Sequence, residues 1–358
     1  MFDPWNIGTL NKLSIWIFYA LSNYIGVLLC SILIYSVYKN SKKDASDIFI
    51  AGLASGCLTL SITCGSQCFA NVHWNKFYGD NIACQIEAIA HVSSILTEFF
   101  CVTCISISFY RQKIHSCVIN KKKAMWIVLS IWIGCIFITG LLSLFSPIYL
   151  MSAGTYCFFE FSSFAIVGWL VPGLIITLSV MLTCHFLILK HCRNLIRMLE
   201  ENNLRLNVIN TDALNKLWLQ QFKWRSTMFI IILLLGWGFA VVTAVYELIV
   251  GRASEWLVTA VGVGGVSFSW IMPLTYALTS NYHKKTMIRF FGWIFIPIWG
   301  KKWWQSASSQ IIVPSQTSIN ISIEERKSQN DNSNGKNSPE NNSIIENSPK
   351  NFPVILEN

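Results

Sequence analysis

The sequence predicts an all-α membrane protein: a seven-transmembrane helix bundle followed by an interfacial helix and a disordered cytoplasmic tail. Three observations predict it. Seven long apolar stretches recur along the chain, the loops between them alternate between nearly uncharged and strongly basic, and the last fifty or so residues turn to Ser, Asn, Lys and Glu. Of 358 residues 53% are hydrophobic and only 13% charged. A soluble helix buried on all sides runs about three turns, and seven stretches of bilayer length have little use outside a membrane. Each stretch must then be helical, because in hydrocarbon only helices and closed barrels satisfy their own backbone groups.

Runs of about 20 apolar residues, the length that crosses a hydrocarbon core, fall at 14–38, 47–70, 84–110, 124–146, 163–189, 227–250 and 256–279. The predicted organisation is an extracellular N-terminus over 1–13, the bundle over 14–279, an interfacial helix over 280–304 and a disordered tail over 305–358. Orientation follows from the cations. If the chain starts outside, the outer segments hold only Lys12, Lys76 and Arg252, and the remainder of the 27 Lys and Arg lie inside. The positive-inside rule therefore places the N-terminus outside and the C-terminus in the cytoplasm. The net charge of +9 reflects this topology and attraction to anionic inner-leaflet lipids, and it needs no nucleic acid as partner. Met1 to Leu13 is polar and the first span is longer than a signal-peptide core, so no cleaved signal is expected.

The second span carries Ser55, Thr59, Thr63 and Gln67 at four-residue spacing. The third is the most polar. Its Glu87, His91, Ser94 and Glu98 follow at steps of four, three and four, which stacks them on one face. Glu98 then lies about 21 Å below Cys84, at a depth where a carboxylate facing lipid is costly. That face should point into the bundle, where the two stripes would line one polar seam. One reading is a ligand cavity in the outer half, with Glu87, His91, Glu247 and Arg252 at its entrance and Glu98 as a deeper switch; the other is a static inter-helical hydrogen-bond network.

Twelve cysteines suggest a disulfide protein until they are placed on this topology. Eight fall within spans, where Cys acts as a small packing residue, and Cys117 and Cys192 face the reducing cytoplasm. Cys84, at the outer start of the third span, and Cys157, in the outer loop before the fifth, are best placed for oxidation and are predicted to be joined. Cys68 is the rival partner.

The sixth span has no proline, and Gly236-Trp237-Gly238 is its candidate hinge; close packing is the competing explanation. Gly262, Gly264 and Gly265 in the seventh span suit close packing. Asn281 to Trp304 mixes Lys284, Lys285, Arg289, Lys301 and Lys302 with aromatic rings, a composition for a helix lying along the inner leaflet. The histidines His115, His191 and His283 read as surface or headgroup contacts. From about Gln305 the composition is that of a disordered tail.

Enzyme classes find no support. There is no Gly-rich phosphate loop, HExxH, Cys/His metal cluster or nucleophile elbow, so neither an enzyme nor a cofactor is expected. A retinal pump fails because the seventh span holds no Lys. A seven-helix transporter or channel using the Glu98 seam remains the alternative, although no discontinuous helices recur in matching halves.

Seven helices, an outer N-terminus, a bridge from the third span to an outer loop and basic inner loops resemble the architecture of a G-protein-coupled receptor. More narrowly, the third span, with Cys84, Ala88-Ile89, Cys104, Ile107-Ser108 and Tyr110, resembles that of the slime-mould cyclic AMP receptors and their receptor-like relatives. Trp237-Gly238-Phe239-Ala240-Val241-Val242 resembles the Trp-x-Phe-Ala-Val-Val segment of the same family, and Gln221-Phe222-Lys223 is similar to its approach to the sixth span. The resemblance covers about residues 10–300. It implies a plasma-membrane receptor that converts an extracellular signal into activation of a heterotrimeric G protein. The Asp-Arg-Tyr and Asn-Pro-x-x-Tyr patterns of rhodopsin-like receptors are absent, with Phe109-Tyr110-Arg111 and Met272-Pro273-Leu274-Thr275-Tyr276 near those places. Arg111, Lys121, Lys122, Lys123, Lys223 and Arg225 are the candidate G-protein contacts, although topology alone also explains them. An anionic nucleotide wants cationic donors, and the outer segments offer few, so the ligand is left unassigned.

Overall fold

A computed structural model describes residues 9–40, 44–74, 81–151, 155–203, 210–251, 254–279 and 281–299. Its helices are α1 (Thr9–Lys39), α2 (Ala45–Trp74), α3 (Asn81–His115), α4 (Lys121–Leu142), α5 (Val171–Asn203), α6 (Asn210–Val250), α7 (Glu255–Thr279) and α8 (Asn281–Trp299). Seven contain stretches long and apolar enough to cross a membrane: Leu13–Lys39, Ala45–Trp74, Ile82–His115, Lys121–Leu142, Ile166–Asn194, Thr227–Val250 and Trp256–Ala277. The fold is a seven-transmembrane bundle, and each predicted span overlaps one of these. The largest displacement is at the fifth span, which runs Ile166–Asn194; the fourth shifts the other way, beginning at Lys121 and stopping at Leu142, where the Ser143 N–H closes the last turn on Thr139 O.

The chain up to Trp293 forms one compact unit and Ile294–Asn358 a second. Within the first, α8 is described from Asn281; within the second, it continues to Trp299. The remainder of the expected interfacial segment and the whole expected tail lie outside the described residues, as do residues 1–8 of the N-terminus.

Local sequence accounts for several of the joints. Asn120 accepts from Lys122 N at 3.0 Å, capping the start of α4 and satisfying one of its orphan donors. Gly251, at φ +79°, takes the left-handed conformation that ends α6, and its N–H returns to Glu247 O at 2.8 Å. Pro273 lies within α7 and cannot donate to the carbonyl four residues back. That carbonyl, Ser269 O, is met by the Cys30 thiol of α1 at 3.5 Å.

The loop between α4 and α5 is a β-hairpin that the sequence reading did not anticipate. Strands β1 (Ile148–Met151) and β2 (Tyr156–Phe159) pair antiparallel, with Ile148 opposite Phe159 and Met151 opposite Tyr156. Every residue of β2 is buried. A strand buried on both faces shows no period-2 alternation, and Tyr-Cys-Phe-Phe has none to read. A π-helical turn, Ile166–Leu170, then leads into α5.

At the opposite end, the expectation that His283 is a surface or headgroup contact is overturned. The side chain is 1% exposed. Its Nδ1 pairs with Ser36 Oγ of α1 at 2.5 Å and its Nε2 with Asp47 Oδ1 of α2 at 3.4 Å, while Asn40 donates to the other Asp47 oxygen at 3.0 Å. The first turn of α8 is thereby fastened to α1 and α2. Ionisable groups are rarely buried unless paired, and this partner lies 236 residues away in the chain. His115, by contrast, is exposed and sets its ring edge-on to Tyr110.

Candidate functional site

The hairpin lies over one end of the bundle and is fastened chiefly to α3, with further contacts to α1, α2 and α7. Cys84 of α3 and Cys157 of β2 form the predicted disulfide. Closing a loop with a sequence separation of 73 is worth about 4 kcal/mol on loop entropy, an upper bound for spans that stay helical in a bilayer. Cys68, the rival, is a free thiol that donates to Thr155 O at 3.3 Å.

The residues expected at a ligand entrance hold this hairpin. His91 Nδ1 lies 3.3 Å from Cys157 O; a carbonyl only accepts, so Nδ1 carries the proton. The Cys157 N–H reaches the Glu87 carboxylate. Both side chains therefore clasp the residue that carries the disulfide. The facing atoms, His91 Nε2 and Glu87 Oε1, are 3.8 Å apart and have no hydrogen bond. Glu247 of α6 is buried and accepts from the backbone of Phe161 and Ser162, just past β2. Arg252 lies outside the described residues.

Beneath β2 is an apolar cavity of about 30 Å³, bounded by Tyr19, Cys64, His91, Tyr156, Phe158, Trp237 and Gly262 among others. Drug-sized ligand pockets run to roughly 300–1,000 Å³; this one has space for little more than a water molecule. The hairpin's own rings take up the room. Tyr156 stacks on Tyr19 of α1 (centroids 6.4 Å apart, planes at 19°) and donates to Val258 O of α7 at 3.3 Å. Burial pushes its phenol well above the ordinary value, so it remains a neutral donor.

At the cavity floor Trp237 sits edge-on to Phe99 of α3 at 6.1 Å and tilted against Phe268 of α7 at 6.0 Å. The glycines around it are not equivalent. A Cβ on Gly236 would stand 2.8 Å from Phe268, one on Gly264 2.6 Å from Gly236 O, and one on Gly265 2.8 Å from Trp237, so these three allow α6 and α7 to touch. Gly238 has nothing within 4 Å. Close packing thus accounts for Gly236, while Gly238 stands in open space.

Deeper still, Glu98 is 0% exposed and neither carboxylate oxygen is hydrogen bonded. The Cys57 thiol of α2 lies beside it. The expected seam between the two polar stripes does not form. The face of α2 that meets α3 runs through Gly56, whose Cβ would stand 2.9 Å from Glu98 Cγ, and through Leu60 and Cys64, which join His91 and Ile95 around the cavity. The hydroxyl stripe lies one residue round the helix. Ser55 accepts from Trp132 Nε1 of α4 at 2.9 Å, Thr59 and Thr63 bond to carbonyls of their own helix, and Gln67 donates to Asn71. Short hydroxyl side chains readily return to the i−4 carbonyl, which consumes the polarity that a seam would need.

At the other end, Arg111 and Lys121, Lys122 and Lys123 are exposed. Three cations in the first turn of α4 oppose the helix dipole, and the positive-inside bias of the loop accounts for their placement. Lys223 and Arg225 lie on α6, and their side chains are outside the described set. Among the described residues no cluster of His, Cys, Asp and Glu could hold a metal ion.

This is the fold of a seven-helix membrane receptor, a class without enzymatic activity. The family described as "7 transmembrane receptor (rhodopsin family)" matches residues 27–255, and the chain belongs to that family. The crystal structure of squid rhodopsin shares the fold, with a TM-score of 0.68 at 16% identity over 82% of this chain and 85% of the squid chain. No curated protein sequence matches. Extracellular signals and G proteins are the general partners of this class.

Proposed function

We propose that this chain is a G-protein-coupled receptor of the cyclic-AMP-receptor-like type, acting in the plasma membrane with its N-terminus extracellular and its C-terminus cytoplasmic. The observation that carries the reading is the line from the strapped hairpin through the aromatic cavity to Trp237, where α3, α6 and α7 meet. A ligand that favours one packing of those three helices shifts the bundle by its differential affinity for the two states. Gly236, Trp237 and Gly238 form the switch, with Glu98 below them as a polar element sensitive to how α2 and α3 pack. Glu87, His91 and Glu247 govern ligand access by holding or releasing the hairpin, with Arg252 as a further ligand contact. Arg111, Lys121, Lys122, Lys123, Lys223 and Arg225 then face the heterotrimeric G protein, and α8 meets anionic inner-leaflet lipid.

Cyclic AMP is a poor candidate for the ligand. Among the described residues no Lys or Arg lines the cavity, and an anionic phosphate draws its affinity from such donors.

The test is nucleotide exchange on a co-expressed heterotrimeric G protein, in membranes carrying the wild type or Cys84→Ser, challenged with cyclic AMP and then with conditioned extracellular medium. Exchange that rises with a stimulus and is lost in the variant is the expected result. No exchange under any stimulus, despite surface expression and a competent G-protein control, overturns the reading and makes flux through the bundle the next measurement.

A further inference from the structure

Tyr156 does more than close the hairpin. Its ring is held as a bound ligand is held: stacked on Tyr19, met edge-on by His91 at 6.1 Å and by Phe158 at 6.1 Å, with its hydroxyl on Val258 O at 3.3 Å. Gly262 forms the floor, since a Cβ there would stand 2.9 Å from Tyr156 Cε1. Four surfaces thus fit a flat ring, and one carbonyl fits a single donor at its end. Ligand sites have this composition, mostly apolar with a few placed polar groups. Among the described residues no Lys or Arg lines the space around the ring, and Glu87 lies near enough to oppose a negative charge on the hydroxyl, so the surroundings suit a neutral aromatic alcohol over an anion.

We propose that Tyr19, His91, Val258 and Gly262 form a socket for a hydroxyaryl group, filled here by the chain's own Tyr156, and that the receptor's diffusible ligand presents a phenol to the same socket when the hairpin is displaced. The second half rests on the receptor reading above; the first does not. The tyrosine is an intramolecular occupant, at an effective concentration that a free molecule must overcome. Displacing it breaks one hydrogen bond, one ring stack and the edge contact with His91, whereas the disulfide to Cys84 keeps the strand tethered nearby.

The test removes the side chain and returns it in solution. Tyr156→Ala is purified in lipid nanodiscs and its thermal unfolding is followed with 4-methylphenol, the tyrosine side chain as a free molecule, and with toluene, which lacks the hydroxyl. A ligand that binds only the folded state raises its stability by mass action, so a saturable rise of about 2 °C or more with 4-methylphenol is expected. Toluene should give less, and the wild type and Tyr156→Phe, whose sockets are filled, should give none. Equal shifts in wild type and Tyr156→Ala, equal shifts with the two probes, or no shift at all would overturn the socket. Where Tyr156→Ala does not reach the cell surface, 4-methylphenol in the growth medium should restore its surface level and toluene should not. Failure of that rescue, with Tyr156→Phe at the surface, counts equally against the proposal. G-protein exchange is then measured on the same samples. Stabilisation without any change in exchange leaves the socket standing and tells against the receptor reading.

Discussion

Helices α3 and α4 both have the length and apolarity of a membrane span, α4 being the shorter and more apolar, yet they occupy opposite environments. In the most apolar stretch of α3, 67% of the residues are buried inside the protein; in that of α4, 11% are. Hydropathy reports which segments leave water and is silent about which face lipid. What separates the two is polarity. α3 carries Glu87, His91, Ser93, Ser94, Thr97 and Glu98, all buried, whereas α4 shows Ile133, Ile136, Phe137 and Leu141 to the outside. In a bilayer a polar side chain is driven inward because lipid offers it no partner, so of these two spans the more polar becomes the hub and the more apolar the rim.

Matched substitutions on the two helices test that division. Breaking the strap on α3 should have the largest effect: Cys84→Ser forfeits up to about 4 kcal/mol, and surface level on intact cells should fall steeply, whereas Cys135→Ser on α4 should leave it near wild type. Glu98→Lys places an ammonium where Glu98 is fully enclosed and should cost about 3 kcal/mol or more, read as lost thermal stability in detergent. Glu98→Gln keeps the shape and should cost much less; equal losses would show that size rather than charge is at issue.

A smaller effect follows from one change made at two sites. Gly56→Leu drives a side chain against Glu98 Cγ and Ser94 O and should lose about 1–3 kcal/mol by overpacking. Gly134→Leu on α4 has nothing within 4 Å and should stay within about 0.5 kcal/mol of wild type. Similar melting shifts for the pair would erase the distinction between hub and rim. Smallest among the changes on α3, His91→Ala removes the bond to Cys157 O and should cost about 1 kcal/mol. The hairpin would loosen first, seen as faster reduction of the Cys84–Cys157 disulfide by external thiol.

The residues of the candidate site were legible to different degrees. Seven spans, the inward face of α3 and the Cys84–Cys157 pairing could be read in advance, because each follows from local composition or from compartment. The partner of each polar stripe could not. Ser55 and Glu98 are both polar positions at helical spacing, but the former belongs to α4 through Trp132 and the latter to α2 through Cys57. A rotation of one residue about α2 separates the two outcomes, and no pattern within α2 specifies it. His283 was misread for a related reason, its partners Ser36 and Asp47 being far away in sequence. The hairpin left no signal because a strand buried on both faces has no alternation.

Span number, helical state and the need to hide the polar face of α3 were therefore settled along the chain, where a bilayer's demand for satisfied backbone and excluded charge acts on each segment alone. Packing settled the rest. That β2 folds over the bundle, that Glu87 and His91 clasp its backbone and Glu247 the residues just past it, and that Tyr156 fills the space above Trp237 depend on side chains from α1, α3, α6 and α7 converging on one small volume. Such convergence is a property of how close-packed elements share space, and it has no counterpart in any single stretch of sequence.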